Sequence, residues 1–491
     1  MLNLFAGLTE VSDGAVLHEG HPIRSINTRG GYVTQDDNLL PWRTTLANVE
    51  IALELKGVPR DERRDKALAY LERVGLGGFE HHYPHELSGG MRKRVSIVRT
   101  LVDESVNVIL MDEPFGPLDA QTRLVLQDEL LQLWQGSGRT IVFVTHDLVE
   151  AITLSDRIAI FTRAPGTIKC SIFTRRPGLR TSTIRFGTIS AQKSRAVLSL
   201  PLAERARSIW IDDRVPGRES EVLRREAART ERQERGRRTA VAAWQILLLG
   251  ALLAWWWGAS GRIVDRLFLS DPVSVARAFW RMLVDGSLGF HLQYTLTETL
   301  LGYALGASSG LLAAVGTWLV PGAAPALRPL VLLAYATPKI ALAPLMILWF
   351  GIGIFPKVIL AATFVFFVVY LNTMAGLGTV SGGLVNVVRV MGATPAAVFR
   401  KVVLPNAMPF VVAGLRITIP AALIGAIVAE FISSNRGVGY LINAASSRYR
   451  TADVFAGIFG LLILMMAMNA GVSTLERWWL PWVPRERSPL G

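Results

Sequence analysis

Cysteine is almost absent from this 491-residue chain: Cys170 stands alone, so no intramolecular disulfide can staple it and no oxidised framework is expected. Charge is scarce as well. Charged residues make up 19% of the chain against 51% hydrophobic ones, with a mean hydropathy of +0.35, which excludes both a disordered chain and an ordinary water-soluble one. The first residues, Met-Leu-Asn-Leu-Phe-Ala-Gly-Leu, have neither a basic n-region nor a long apolar core. They do not read as a signal peptide, and membrane targeting is expected from an internal segment. No internal repeat of fixed period occurs. Acidic residues are outnumbered, leaving a formal net charge of +13. That balance suits nucleic acid or the anionic cytoplasmic face of a bilayer, and the hydropathy selects the bilayer, with no nucleic-acid partner expected.

What is present divides the chain unevenly. Residues 1 to about 170 alternate short apolar runs (Gly31 to Thr34, Val108 to Met111, Thr140 to Thr145) with polar helical stretches, the cadence of a soluble α/β domain. From Glu204 to Arg238 arginines and acidic residues intermingle, which predicts a linker with a solvated helix. Six apolar runs of bilayer-crossing length then follow: Val241 to Trp257, Thr299 to Val320, Pro329 to Phe350, Val358 to Leu377, Ala407 to Ser433 and Val454 to Leu475. So many long runs would leave no polar surface for water, and they predict a multi-pass, lipid-embedded bundle. Arginines lie in loops on both sides, so orientation rests on the cluster Arg232, Arg235, Arg237 and Arg238 before the first run.

The soluble part carries residues suited to phosphate chemistry. In Leu87-Ser88-Gly89-Gly90, Ser88 can cap a helix whose free N–H groups point at an anion, and Gly89 and Gly90 let the backbone come close to a phosphate. About 18 residues later the apolar strand from Asn107 ends in Asp112-Glu113, where a carboxylate can hold Mg²⁺ through water. Leu118-Asp119 follows, and after another apolar strand comes Thr145-His146-Asp147.

In this order and spacing the motifs resemble the nucleotide-binding domain of ATP-binding cassette (ABC) transporters. Gly31-Tyr32-Val33-Thr34-Gln35, with the Leu-Leu-Pro-Trp-Arg-Thr run after it, is most similar to the nitrate, sulfonate and taurine importers. The resemblance implies that Ser88, Gly89, Gly90 and Asp119 bind nucleotide and that Asp112 and Gln35 hold Mg²⁺. It implies that Glu113 is the general base for the attacking water, and that His146 touches the γ-phosphate and orients that water. His81, His82 and His85 match no standard metal-ligand spacing and stand where the family carries a Tyr-Pro-His-Glu-Leu-like run, so they read as loop residues. A Gly-x-x-x-x-Gly-Lys-Ser/Thr loop occurs nowhere, and Met1 to Leu8 resembles the helix directly after that loop. The expectation is therefore an ATPase domain lacking the Walker A loop, through a misplaced start codon or a real truncation, with poor binding of ATP and Mg²⁺.

In the membrane half, Gly392-Ala393-Thr394-Pro395 through Arg400-Lys401-Val402-Val403-Leu404-Pro405 resembles the cytoplasmic coupling loop of importer permeases, with Asn386-Val387-Val388 replacing the usual Glu-Ala-Ala opening. Within the apolar runs, Lys339, Arg416 and Glu430 are ionisable and therefore candidates for a solute pathway, or for reaching to the interface. The expected architecture is an α/β domain of the P-loop NTPase, ABC type (1–170), a charged linker (171–240), an all-α type I importer permease domain of six transmembrane helices (241–480) and a cytoplasmic tail (481–491). The implied setting is a bacterial inner membrane with the ATPase domain and both termini cytoplasmic. The implied partners are a second copy or a separate intact ABC ATPase, an extracytoplasmic solute-binding protein, and lipid. The implied cargo is a small anion such as nitrate, a sulfonate or taurine.

Overall fold

The computed structural model describes residues 1–116, 120–134, 137–162, 166–173 and 218–484. Packing joins Met1–Leu148 and Trp256–Pro484 in one compact unit and assigns Val149–Trp255 with Arg485–Gly491 to a second.

The soluble part of the first unit opens with α1 (Leu2–Phe5) and a minimal hairpin of β1 (Leu17–His18) and β2 (His21–Pro22). Its centre is a parallel sheet in the order β3 (Gly30–Val33), β4 (Val108–Asp112), β5 (Thr140–Val144). All of β3 and the middle of β4 are buried, which is why both read as unbroken apolar runs rather than alternating ones. The three expected strands each lie within a residue of the observed bounds. Helices α2 (Thr45–Leu55), α3 (Arg60–Arg73) and α4 (Gly89–Leu101) enclose a core that includes Val49, Leu53, Leu71, Leu76, Val95 and Val98. In chain order α5 (Ala120–Trp134) lies between β4 and β5, and α6 (Leu148–Leu154) follows β5 at the border with the second unit.

The second unit holds an antiparallel pair, β6 (Arg157–Phe161) and β7 (Ile168–Phe173). It also holds most of α7 (Arg218–Ala259), a single 42-residue helix that passes without a break from the arginine-rich stretch into the first apolar run. The rest of the expected linker, 174–217, lies outside the described residues, as does the tail from 485.

The membrane half continues with α8 (Pro272–Val284), α9 (Ser287–Leu319), α10 (Ala323–Ala336), α11 (Ala343–Phe350), α12 (Ile354–Gly378), α13 (Gly382–Val390), α14 (Pro395–Val398), α15 (Leu404–Ser433), α16 (Val438–Ser447) and α17 (Thr451–Trp479). Among the described residues five helical stretches are long and apolar enough to cross a bilayer, and the α10–α11 pair taken as one makes six. That pair covers the expected apolar run from Pro329 to Phe350 and is bent where Lys339 stands between Pro338 and Pro344. The helix stops at Ala336, Thr337 turns extended before Pro338, a 3₁₀ turn runs from Lys339 to Leu342, and α11 leaves at 78°. Proline forces the break, because it disfavours helical geometry in the residue before it and offers no N–H. The small residues act in packing. A Cβ on Gly302 would lie 2.5 Å from that of Ala361, one on Gly306 2.4 Å from the Ala362 carbonyl, and one on Gly310 2.6 Å from the Phe366 carbonyl. Backbones of α9 and α12 therefore touch directly, as helices in lipid do when small residues line the seam.

Candidate functional site

Three of the residues singled out from sequence converge at the C-terminal ends of the parallel strands. Gln35 leaves β3, and its side-chain amide donates to Glu113 Oε2 at 3.3 Å. His146 follows β5, and its Nδ1 stands 3.1 Å from Glu113 Oε1. Glu113 itself follows β4 at φ +40°, a left-handed conformation unusual for a side chain of this size, pinned by its N–H to the Val144 carbonyl at 2.9 Å. That turn aims the carboxylate off the strand end between its two partners. Asp112 precedes it as the last residue of β4. Ser88 caps α4, its hydroxyl accepting from Met91 N at 3.3 Å, and both Ser88 and Gly89 are exposed. Among the described residues no hydrogen bond joins Ser88, Gly89 or Gly90 to the Gln35–Glu113–His146 cluster. Asp119 lies outside the described residues.

The loop that carries Gln35 is fixed by residues that the sequence reading missed. Lys93, fully buried on α4, donates to the Thr34 and Gln35 carbonyls at 2.9 and 3.0 Å. Arg99, one and a half turns along, donates to the Asn38 and Asp37 carbonyls at 2.6 and 3.2 Å, and Arg92 pairs with the Asp37 carboxylate at 3.1 Å. Burial lowers the Lys93 amine from 10.5 to about 8, against the opposing pull of Asp37 and Asp36. The sequence reading gave these residues no role.

That same loop meets the membrane half. Leu384 and Val388 of α13 pack with Leu40 and Ile51, and Val390 packs with Leu2, Ala6, Tyr32 and Leu110. A Cβ on Gly383 would come within 2.8 Å of the Asn38 side chain. The contact helix therefore includes the Asn386-Val387-Val388 stretch that departs from the family's usual wording. Gly392, at φ +93°, turns the chain into α14, and Thr394 caps that helix. A π-helical turn, Phe399–Val403, precedes α15. Within it Trp42 Nε1 donates to the Lys401 carbonyl at 3.0 Å, and the Lys401 amine pairs with Glu54, which also takes Arg43 at 2.7 Å. Burial alone would raise the Glu54 pKa, but hydrogen bonds from Arg43 and Lys401 outweigh it and hold the group at about 2. Arg400 points to solvent, while Leu404 and Pro405 begin α15 and Ala393 packs beside Val398 and Val403.

The ionisable residues of the spans fare differently. Lys339 lies in the α10–α11 break with its amine on the Tyr335 carbonyl at 2.7 Å and near the rings of Tyr335, Phe364 and Phe367. Arg416 stands 3.6 Å from Glu476, both partly exposed. Glu430 does not reach to an interface: it is 1% exposed, accepting from Thr295 Oγ1 at 2.7 Å and from the Gly439 N–H at 2.6 Å. Gly437, at φ +99°, makes room for it, since a Cβ there would strike the carboxylate. Beside this lies a buried ion pair that the sequence reading missed, Glu298–Lys357 at 2.7 Å, with Lys357 also donating to Ser434 at 2.8 Å.

The donor set suits a magnesium-bound nucleotide phosphate. Asp112, Glu113 and the amide oxygen of Gln35 are hard oxygen donors of the kind Mg²⁺ accepts while keeping several waters. Among the described residues no cluster of three His, Cys, Asp or Glu forms an all-protein metal cage.

A parallel sheet with these groups at its strand ends, seated directly on a bundle of bilayer-crossing helices, defines a nucleotide-driven membrane machine as the class. Comparison with known families agrees: residues 1–116 match the ABC transporter family, and residues 306–483 match the binding-protein-dependent transport system inner membrane component family. An uncharacterized ABC transporter ATP-binding protein of Methanocaldococcus jannaschii is 48% identical over 184 residues, covering 37% of this chain and 68% of that protein. A taurine import ATP-binding protein of Yersinia pestis bv. Antiqua is 43% identical over 168 residues, covering 34% of this chain and 66% of that protein. The dimeric structure of a bacterial ABC transporter cassette aligns with 35% of this chain and 79% of its own at 32% identity, with a TM-score of 0.32. The chain thus spans about two thirds of the length of its curated relatives. It belongs to the ABC transporters, an ATP-binding domain fused to a multi-pass permease domain.

Proposed function

We propose that this chain is the fused ATPase and permease subunit of an importer that couples ATP binding and hydrolysis to uptake of a small anion, with taurine, other sulfonates and nitrate as the class. The observation that carries the reading is the continuity from Gln35, in contact with Glu113, through residues 34–40 to α13 of the permease half. The group at the catalytic end and the lever at the membrane end share one loop. The taurine-import relative supports the cargo class.

When bound, ATP with Mg²⁺ supplies a phosphoanhydride whose cleavage drives the cycle. Asp112 and Gln35 would hold the metal through water, and the capped N-terminus of α4 with Ser88, Gly89 and Gly90 would bind phosphate oxygens. Glu113 would take a proton from water and His146 would steady that water, since phosphoryl transfer depends mostly on positioning and charge neutralisation. An intact ABC ATPase would supply the phosphate-cradling loop that this sequence does not contain, and an extracytoplasmic solute-binding protein delivers cargo. The setting is a bacterial inner membrane with the ATPase half in the cytoplasm.

The test is uptake of radiolabelled taurine, a longer-chain sulfonate and nitrate by cells carrying the chain with its neighbouring solute-binding protein. Uptake of one of these anions, lost in Glu113→Gln, is expected. Equal uptake with and without the chain would sink the reading.

A further inference from the structure

Where α15 turns into α16, four helices bring polar side chains to one buried cluster that the transport reading leaves unused. Thr295 and Glu298 come from α9, Lys357 from α12 and Glu430 from α15, all of them buried. Lys357 donates to Glu298 Oε1 at 2.7 Å and to Ser434, in the turn after α15, at 2.8 Å. Glu430 accepts from the Thr295 hydroxyl and from the Gly439 N–H, and Thr295 in turn accepts from the Val438 N–H at 2.8 Å. The first residues of α16 are thus tied to α9 through a carboxyl group on α15. The fit is close, since a Cβ on Gly439 would come within 2.7 Å of Glu430 Oε2.

Two carboxylates and one ammonium leave this cluster one negative charge in excess. The neighbouring groups do not offset it. His291 of α9 accepts the Gly437 N–H on Nδ1 at 3.1 Å, which only a neutral imidazole can do. Arg436 is exposed and pairs with the Tyr294 hydroxyl at 2.6 Å, Asp453 of α17 is taken by Arg281 and Arg450, and α11 carries no charged residue. A buried charge without a counter-charge is strongly unfavourable. The hydrogen bonds point the same way. The Glu298 and Glu430 carboxyl groups stand within hydrogen-bond reach of each other, yet as carboxylates both only accept. Glu298 Oε2 is buried with no N–H or O–H donor among the described residues. One proton held between the two carboxyl groups supplies that donor and brings the cluster to neutrality, because like charges in contact do not both ionise.

We propose that Glu298 and Glu430 bind one proton between them, and that this proton fastens α16 to the bundle of α9, α12 and α15. Its loss sets two like charges against each other and drives Glu430, with the Gly439 amide that it anchors, away from α9. Glu298→Gln imitates the fastened state without the proton. Its amide places an N–H donor at the position of Oε2 and leaves Lys357 and Glu430 as a balanced pair. The inference depends neither on the cargo nor on ATP.

The experiment uses the full chain in lipid nanodiscs, where reagents reach both faces and orientation does not enter. Infrared spectra at pH 7 are expected to show the C=O stretch of a protonated carboxyl group, moved down by deuteration, in the parent and to lose it in Glu298→Gln and in Glu430→Gln. Absence of the band from the parent overturns the proposal whether or not a variant folds, and its persistence in both variants overturns the assignment to this pair. Fastening is read from Val438→Cys in a Cys170→Ser background, a position that is fully buried in the parent. The rate of maleimide labelling, divided by the rate of the same chain carrying Glu298→Gln, is expected to climb about tenfold from pH 7 to pH 9, as opening linked to release of one proton requires. Thiol ionisation and His291 affect both chains alike and cancel in the ratio. A ratio that does not change with pH overturns the fastening role.

Discussion

At the residue scale, buried charge dominates the expected phenotypes. Glu298 and Lys357 are both under 10% exposed, so removing one partner strands the other in an apolar bundle. Lys357→Met is expected to destabilise by about 3–5 kcal/mol, read as a large fall in Tm in detergent, and Glu298→Gln combined with Lys357→Met to recover much of it. Lys93 gives a pH signature. Its folded pKa of about 8 lies below the ordinary 10.5, so the folded chain releases its proton first. The penalty for burying the charge is fully present below pH 8 and is relieved as pH rises from 8 toward 10.5. Tm measured across that window should fall less steeply in the parent than in Lys93→Met. Legibility fails here for a simple reason. The apolar runs read from sequence begin at Thr299 and Val358, one residue past Glu298 and Lys357, so a boundary error of one position hid an ion pair.

At the element scale, α9 and α12 depend on their glycine seam, and the π-helical turn before α15 on its charge contact. Gly306→Leu would drive a side chain into the Ala362 carbonyl and is expected to part the two helices, reducing the yield of folded protein extracted from membranes. Glu54, held at about 2 against an ordinary 4.5, contributes stability that is complete above pH 4.5 and lost as pH falls toward 2. The Tm gap between the parent and Glu54→Gln should therefore be constant from pH 7 to 5 and close below. Strands β3 and β4 were legible because burial makes them apolar throughout, and Ser88 because a cap has a local signature. The α10–α11 bend was half legible: two prolines flanked Lys339, but a run of apolar letters from Pro329 to Phe350 looks the same straight or bent. Trp42 and Lys401 meet across 359 positions, and no local pattern encodes such a contact.

At the scale of the whole molecule, the membrane reading makes a two-sided labelling prediction. In a Cys170→Ser background, Arg262→Cys, in the loop after α7, should react with an impermeant maleimide added outside the cell. Ser381→Cys, before α13, should react only after the inner face is opened. Reversed labelling would overturn the orientation proposed above. The fold class and the two-part organisation were readable because composition itself changes along the chain, from mixed charge to long apolar runs. The assembly of distant halves into one unit was not. One further consequence follows from α7. Only Thr239–Ala259 of its length is suited to hydrocarbon, so the 21 residues before it extend as a rod of roughly 30 Å beyond the lipid. A rod has a phase as well as a length. Inserting one residue between Arg218 and Arg238 would turn the helix face before the insertion by roughly 100° relative to Thr239–Ala259, whereas four residues would nearly restore the original bearing.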